Sequence, residues 1–393
     1  MYQKSRRNNR RPFYGNRKQN NRRQNKPDLN IEMFINRAQL ADQAPEYVVQ
    51  RTFKDFPFEP RLQENIASRG YQQPTPIQDQ VMMPIFEGNN LLGTANTGTG
   101  KTGAFLLPLI QKVVNNRGQK VLVLTPTREL ALQIEKELNL LAFNLGIKSV
   151  LIIGGTNMKK QENLLRQRYD FIIGTPGRIK DLKQRQMLRT NDIQTIVLDE
   201  VDRMLDMGFI KDVTQILSGA APSRQSLFFS ATITPGVTRL IGRFSNQVQT
   251  VSVQSAQTAK NINQNIIRFA TRAEKIETLH NILIQKEVEK TLIFGRTKRG
   301  VKALSKELSF RGFKTESIHG NKSQPQRQRA LEMFHRDQIN VLVATDVAAR
   351  GLDIQDVTHV INYELPESYD DYIHRIGRTG RANKKGMALT FVG

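Results

Sequence analysis

The sequence predicts an α/β protein with two tandem domains on mainly parallel sheets, preceded by a disordered basic tail. Three observations predict it. Short runs rich in Val, Ile, Leu and Phe recur between helix-length segments at 121–124, 149–153, 171–173, 195–198 and 226–229. A second series follows at 265–269, 291–294, 341–344, 358–362 and 387–392, with a polar stretch from Gln254 to Asn263 between the two. Strands alternating with helices read as βαβ units, whose parallel sheets are covered on both faces. In such sheets ligands gather beyond the carboxyl ends of the strands, and the chemistry-bearing residues do follow the apolar runs.

In chain order the reading is a tail over 1–27, a flanking segment over 28–49 and a first domain over 50–253. A linker over 254–262 and a second domain over 263–393 complete it. The tail holds ten Lys or Arg and no Asp or Glu, so it carries +10 of the net +23. It lacks the apolar surface needed to offset its chain entropy. Its cations suit phosphates, and Tyr2, Phe13 and Tyr14 suit stacking on bases, so a nucleic-acid tether is expected. A short helix is expected around Ile31 to Ala41. Pro108 is expected to kink the helix after the glycine-rich loop, or to end it early.

That loop, Ala95-Asn96-Thr97-Gly98-Thr99-Gly100-Lys101-Thr102, follows the apolar pair Leu91 and Leu92. Gly98 and Gly100 permit backbone angles that aim consecutive amides at one phosphate chain, and the next helix adds its positive end. Lys101 can reach terminal phosphates, and the Thr102 hydroxyl suits magnesium. The chain therefore handles a nucleoside triphosphate. Asp199-Glu200-Val201-Asp202 follows the strand 195–198; one carboxylate can hold the metal through water, and the next can deprotonate an attacking water. Ser230-Ala231-Thr232 suits either a helix cap or a functional role. In the second half, Thr345 to Asp353 again follows a strand. His374 to Arg381 then brings three arginines among glycines, and their planar forks match phosphate oxygens.

Other chemistries are excluded. The chain has no cysteine, hence no disulfide, zinc-thiolate site or thiol nucleophile. Its histidines (280, 319, 335, 359 and 374) lack ligand spacing, so no metal centre built by the protein alone is expected. No apolar run approaches the length of a membrane span and no signal-peptide core is present, which predicts a soluble intracellular protein.

Taken together, the ordered motifs resemble those of the DEAD-box ATP-dependent RNA helicases of superfamily 2, in their bacterial form, over roughly 50–393. Phe53 precedes Gly70-Tyr71-Gln72-Gln73-Pro74-Thr75-Pro76-Ile77-Gln78, which looks like the adenine-selecting Q motif. The loop at 95–102 follows, then Pro126-Thr127-Arg128-Glu129-Leu130-Ala131, Gly154-Gly155 and Thr175-Pro176-Gly177-Arg178. Asp199 to Asp202 and Ser230 to Thr232 close the first set. Leu292-Ile293-Phe294, His319-Gly320 with Gln324 and Arg327, and the two late runs make the second. The bacterial look of these motifs favours the cytoplasm.

The resemblance implies two RecA-like domains and roles for individual residues. Gln78 would read the adenine edge and Phe53 pack on its ring. The phosphates and Mg2+ would be held by Ala95 and Thr97 to Thr102, with Asp199 in the metal shell and Glu200 as general base. Gly351 and Asp353 would border the nucleotide, Asp353 at its ribose. Arg378 and Arg381 would act as arginine fingers. Ser230, Thr232, Asp202 and His374 would couple nucleotide state to closure. RNA would lie on Pro126, Arg128, Gly155, Thr175, Gly177 and Arg178, and on Gly320, Gln324, Arg327 and Thr345.

Several of these are small residues or helix starts, which suits gripping a sugar-phosphate backbone without reading sequence. The expected partners are ATP, magnesium, and single-stranded or short duplex RNA; a monomer is expected. A DNA-directed helicase of the same superfamily and an ATP-gated RNA clamp with slow turnover are the rival readings. Two positions depart from the family. Val201 stands where the family has alanine, giving a DEVD form of the Walker B motif that neighbours are expected to accommodate. The sequence also stops at Gly393, where family members generally continue with a closing helix.

Overall fold

The structure is a computed structural model. It describes residues 34, 47–96, 98–245, 247–253, 262–349, 357–380 and 385–393. The basic tail, most of the expected helix at 31–41, and linker residues 254–261 lie outside the described residues, as do Thr97, Gly351, Asp353 and Arg381.

Two parallel sheets form. The first holds β1 (Leu91–Ala95), β2 (Val121–Leu124), β3 (Ser149–Ile152), β4 (Phe171–Gly174), β5 (Thr195–Leu198), β6 (Gln225–Ser230) and β7 (Gln249–Val253). Their order is β3-β4-β2-β5-β6-β1-β7. The second holds β8 (Ile262–Arg268), β9 (Thr291–Gly295), β10 (Thr315–Ile318), β11 (Val341–Thr345), β12 (His359–Asn362) and β13 (Gly386–Val392). It runs β10-β11-β9-β12-β13-β8. Every strand pair is parallel.

Strands β1, β2, β4, β5, β6, β9, β11 and β12 are buried along their whole length, because helices cover both sheet faces. The first sheet accordingly carries two apolar clusters, one per face, and the second sheet three. Strand ends pass directly into capped helices: Thr127 accepts from Leu130 N before Arg128–Leu141, and Thr297 from Gly300 N before Lys298–Phe310.

The helix after the loop decides one half of an expectation: it does not end early at Pro108. It runs unbroken from Lys101 to Asn115, seven residues past Pro108. Residues Gly103 to Gln111 are all buried. Packing on every side outweighs the roughly 3 kcal/mol cost of one interior proline. Two strands, β7 and β10, lack the apolar signature; both lie at sheet edges, although the other two edge strands, β3 and β8, carry it. β8 begins at Ile262, three residues earlier than its apolar run, where it pairs with Gly386. Among the described residues no helix is long and apolar enough to cross a membrane.

Phe34 has an unexpected place. Fully buried, it packs against Tyr372 in the second domain, ring centroids 4.7 Å apart, in a cluster with Ile262, Ile376 and Ala388. The next described residue, Tyr47, lies on the first domain, where its hydroxyl donates to Asp79 Oδ2 (2.8 Å).

Candidate active site

The loop between β1 and the helix Lys101–Asn115 has left-handed glycines at 98 (φ 86°) and 100 (φ 92°). At Gly100 a Cβ would also lie 2.7 Å from Gln78 Nε2 and 2.9 Å from Thr75 Oγ1, so both conformation and space demand glycine. Gln78 ties the Q motif to this loop. Its Nε2 donates to Gly100 O (3.1 Å), while its Oε1 accepts from Thr75 N (2.9 Å) in a capping box. Phe53 is buried and stacks on Tyr71 at 6.0 Å. Thr99 Oγ1 donates to Asn96 O (2.8 Å). The Lys101 ammonium is buried against the carbonyls of Ala95 and Asn96. Burial lowers its pKa, against the opposing pull of Asp199, Glu200 and Asp202. Thr102 opens the second position of the same helix.

Across from it, β5 ends at Leu198 and delivers two buried carboxylates. Asp199 Oδ1 accepts from Glu200 N at 3.0 Å. Burial first, and then the charge of Glu200, push the Asp199 carboxyl up to about 7, with Lys101 pulling the other way. Glu200 occupies the left-handed region (φ 54°, ψ 55°), an uncommon conformation for a side-chain-bearing residue. Arg203, one turn on, donates to its Oε2. Burial raises the Glu200 pKa, but Arg203, Arg378 and Lys101 outweigh it, and the carboxyl lies below its ordinary value. Two adjacent acids are thereby driven apart, one toward neutrality and one toward the charged form. Val201, fully buried among Leu198, Met204 and their neighbours, opens the helix Val201–Asp206 instead of extending the strand.

Asp202 gathers the coupling residues. Its Oδ2 accepts from Ala231 N (3.0 Å), Thr232 N (2.9 Å) and Thr232 Oγ1 (3.0 Å). Ser230 Oγ accepts from Asp202 N (3.3 Å) and donates to Thr232 O (2.8 Å). Neither hydroxyl caps a helix; Thr234 caps the following one. From the second domain, His374 faces Asp202 and Arg203. Burial first, then the positive field of Arg203, bring its pKa down to about 4. Arg378, also buried, reaches Glu200 with its charge. Arg375, on the helix Tyr369–Ile376 with His374, is held by Asp346 through both terminal oxygens (2.6 and 2.7 Å).

The residues assigned to RNA fall along the other strand ends. Arg128 lies over the Gly154–Gly155 turn: a Cβ on Gly155 (φ 78°) would come within 2.2 Å of Arg128 Nη1. Pro126 precedes it, buried after β2. Thr175 and Gly177 start the helix Pro176–Gln184 after β4. Arg178 Nη1 donates to Gln161 Oε1 (3.3 Å). In the second domain, Thr345 ends β11 and Gly320 follows β10. Gln324 and Arg327 are brought elsewhere as well: Gln324 Nε2 donates to Glu129 Oε1 (3.1 Å), and Arg327 pairs with the same carboxylate at 3.0 Å. Glu129 belongs to the first domain, so this buried group crosses the interface.

Glu129, Arg203 and Arg375 are the participants the sequence reading left without a role. Glu129 was visible within the run from Pro126 to Ala131, but a glutamate among helix formers carries no local signal of a distant partner.

The fold and the facing charged groups define a two-domain nucleotide-dependent protein of the helicase class, and comparison agrees. Residues 75–240 match the DEAD/DEAH box helicase family, and residues 274–383 the helicase conserved C-terminal domain. The ATP-dependent RNA helicase CshA of Listeria monocytogenes is 41% identical over 342 residues. That match takes in 86% of this chain, and the chain spans 66% of the relative's length. A DEAD box protein from Methanococcus jannaschii is 37% identical over 88% of this chain and 94% of its own, with a TM-score of 0.52. S. cerevisiae Dbp5 bound to RNA and ADP BeF3 is 29% identical, covering 87% of this chain and 90% of its own, with a TM-score of 0.77. The chain belongs to the DEAD/DEAH box helicase family, and its two parallel α/β domains are RecA-like.

Proposed function

We propose that the protein is an RNA-dependent ATPase whose domains close on ATP and single-stranded RNA, parting short duplexes or remodelling RNA–protein assemblies. The observation that carries this reading is the buried contact of Glu129 with Gln324 and Arg327 across the domain interface, with the charges of Arg378 and His374 acting on Glu200 and Asp202 in the same interface. A nucleotide held by the loop at 95–102 would lie between these last groups. The higher TM-score to the RNA- and nucleotide-bound Dbp5 than to the more identical M. jannaschii protein supports a closed arrangement.

In this reading Gln78 and Phe53 select adenine, and Lys101 and the loop amides hold the phosphates. Glu200 takes the proton of the attacking water. Arg378, with Arg381, stabilises charge on the transferring phosphoryl group. Thr102 and the buried Asp199 carboxylate are hard oxygen donors that fit magnesium, which when bound would neutralise phosphate charge. The DEVD form keeps both acids, so Val201 leaves the chemistry intact. Arg128, Gly155, Thr175 and Thr345, with their neighbours at the strand ends, grip the sugar-phosphate backbone. Because ATP and RNA both favour closure, each raises affinity for the other.

Steady-state ATP hydrolysis with and without single-stranded RNA, and displacement of a short duplex, test this. RNA stimulation and ATP-dependent displacement are expected. ATP-dependent RNA binding without hydrolysis would favour the clamp reading, and equal stimulation by single-stranded DNA the DNA-directed one.

The histidine adds a pH prediction. Its pKa lies at about 4 in the closed form and at the ordinary 6.5 once open to water. Protonation therefore favours the open form; closure is fully supported above pH 6.5 and weakens as pH falls toward 4. RNA affinity in a non-hydrolysable ATP analogue should drop roughly tenfold between pH 7.5 and 5.5 by linkage. His374→Gln should flatten that dependence.

A further inference from the structure

The second domain carries a concave basic surface that none of these roles uses. It lies between the helix Lys298–Phe310 and the edge strand β10, encloses about 590 Å³, and is lined by Lys298, Arg299, Lys302, Lys306 and Lys322. Lysines 298, 302 and 306 recur every fourth residue, so they share one face of the helix. Glu316 is the one acid among the lining residues, and it is already paired with Lys322. No ion pair joins the other four cations to a described residue.

Elsewhere in this domain some cations are matched. Arg311, on the same helix, pairs with Glu277 and Glu307, and Lys290 pairs with Asp337. In the groove, four unmatched cations stand together on one concave surface. His319, at its rim, feels that charge: after burial, Lys322, Lys302 and Lys298 lower its pKa. Hydroxyls add to the lining, and buried Thr315 Oγ1 has no hydrogen-bond partner among the described residues. The groove also touches the proposed RNA path. Lys298 Cε lies 3.4 Å from where a Cβ on Gly320 would stand.

We infer that this groove is a second phosphodiester subsite, which takes the RNA strand where it continues beyond the nucleotides gripped at the strand ends. Concavity, four uncountered cations, surrounding hydroxyls and contact with Gly320 all suit a phosphate chain, with no groups arranged to read bases. The inference rests on the RNA-binding reading above.

The test is a Lys302→Gln, Lys306→Gln double variant; both side chains are exposed and glutamine keeps the helix. Binding is measured with an ATP analogue, using oligouridylates of about six and about twenty nucleotides, within the range of single-strand site sizes and beyond it. The short RNA should bind the variant and the parent equally. The long RNA should lose roughly tenfold in affinity, and the slope of log affinity against log salt should shrink by about 1.4. Equal affinities on both RNAs, or equal losses on both, would overturn the subsite. If the parent binds neither RNA, the proposed function itself falls, and the subsite with it.

Discussion

Glu200→Gln should slow RNA-stimulated ATP hydrolysis by roughly 10²–10⁴-fold, the range that positioned general bases contribute. The geometry explains why this side chain is sensitive. It sits in a left-handed backbone position directly after the strand, and Arg203 fixes one of its oxygens. Arg203, Arg378 and Lys101 keep it ionised despite burial. Glutamine retains the shape and an acceptor for Arg203 but cannot take a proton. RNA binding in the presence of ATP should persist, because Glu129 and Asp202 still face their partners. Single-turnover hydrolysis beside RNA binding separates the two effects. Hydrolysis at the parental rate would remove Glu200 from the chemistry.

The second large effect is expected at Glu129→Ala. Its carboxylate is almost wholly buried, and it receives both Gln324 and Arg327 from the opposite domain. Removing one member of a buried pair leaves an uncompensated charge, at a cost of about 3–5 kcal/mol. Opening returns Arg327 to water, so the cost falls on the closed state alone. ATP-dependent RNA affinity should therefore drop by roughly 10²–10⁴-fold, while ATP binding in the absence of RNA changes little. Because Arg327 is also assigned to RNA, the informative measurement is the cycle with Arg327→Ala. Strict additivity would mean that the pair does not latch the domains.

Much of this was legible in the residues. Central strands advertise themselves as apolar runs because they are buried on both faces, and the glycine-rich loop is fixed by local backbone needs. Two of the four edge strands were not legible: Gln249–Val253 alternates polar with apolar residues, and Thr315–Ile318 begins with a Thr-Glu pair. The early end allowed at Pro108 did not occur, since a local breaker rule takes no account of a helix enclosed on all sides. At the site, the motif residues stood out individually, whereas Glu129 reaching Arg327 joins positions far apart in sequence. Spacing encodes the shape of a turn; it does not encode which turn will face it.

Phe34 makes the second domain discontinuous along the chain. Its ring completes a cluster whose other members come from Ile262 onward, and full burial of a phenylalanine is worth about 1.5–3 kcal/mol. A polypeptide beginning at residue 262 would lack that ring and leave Tyr372 and Ile376 uncovered on the helix that also bears His374. A single protease cut between Phe34 and Tyr47 would have the same result by another route. It would turn an intramolecular contact, favoured by high effective concentration, into a dilute bimolecular one that the fragment soon loses. Dissection of this protein into halves therefore has to carry Phe34 with the second half, although the residue precedes the first.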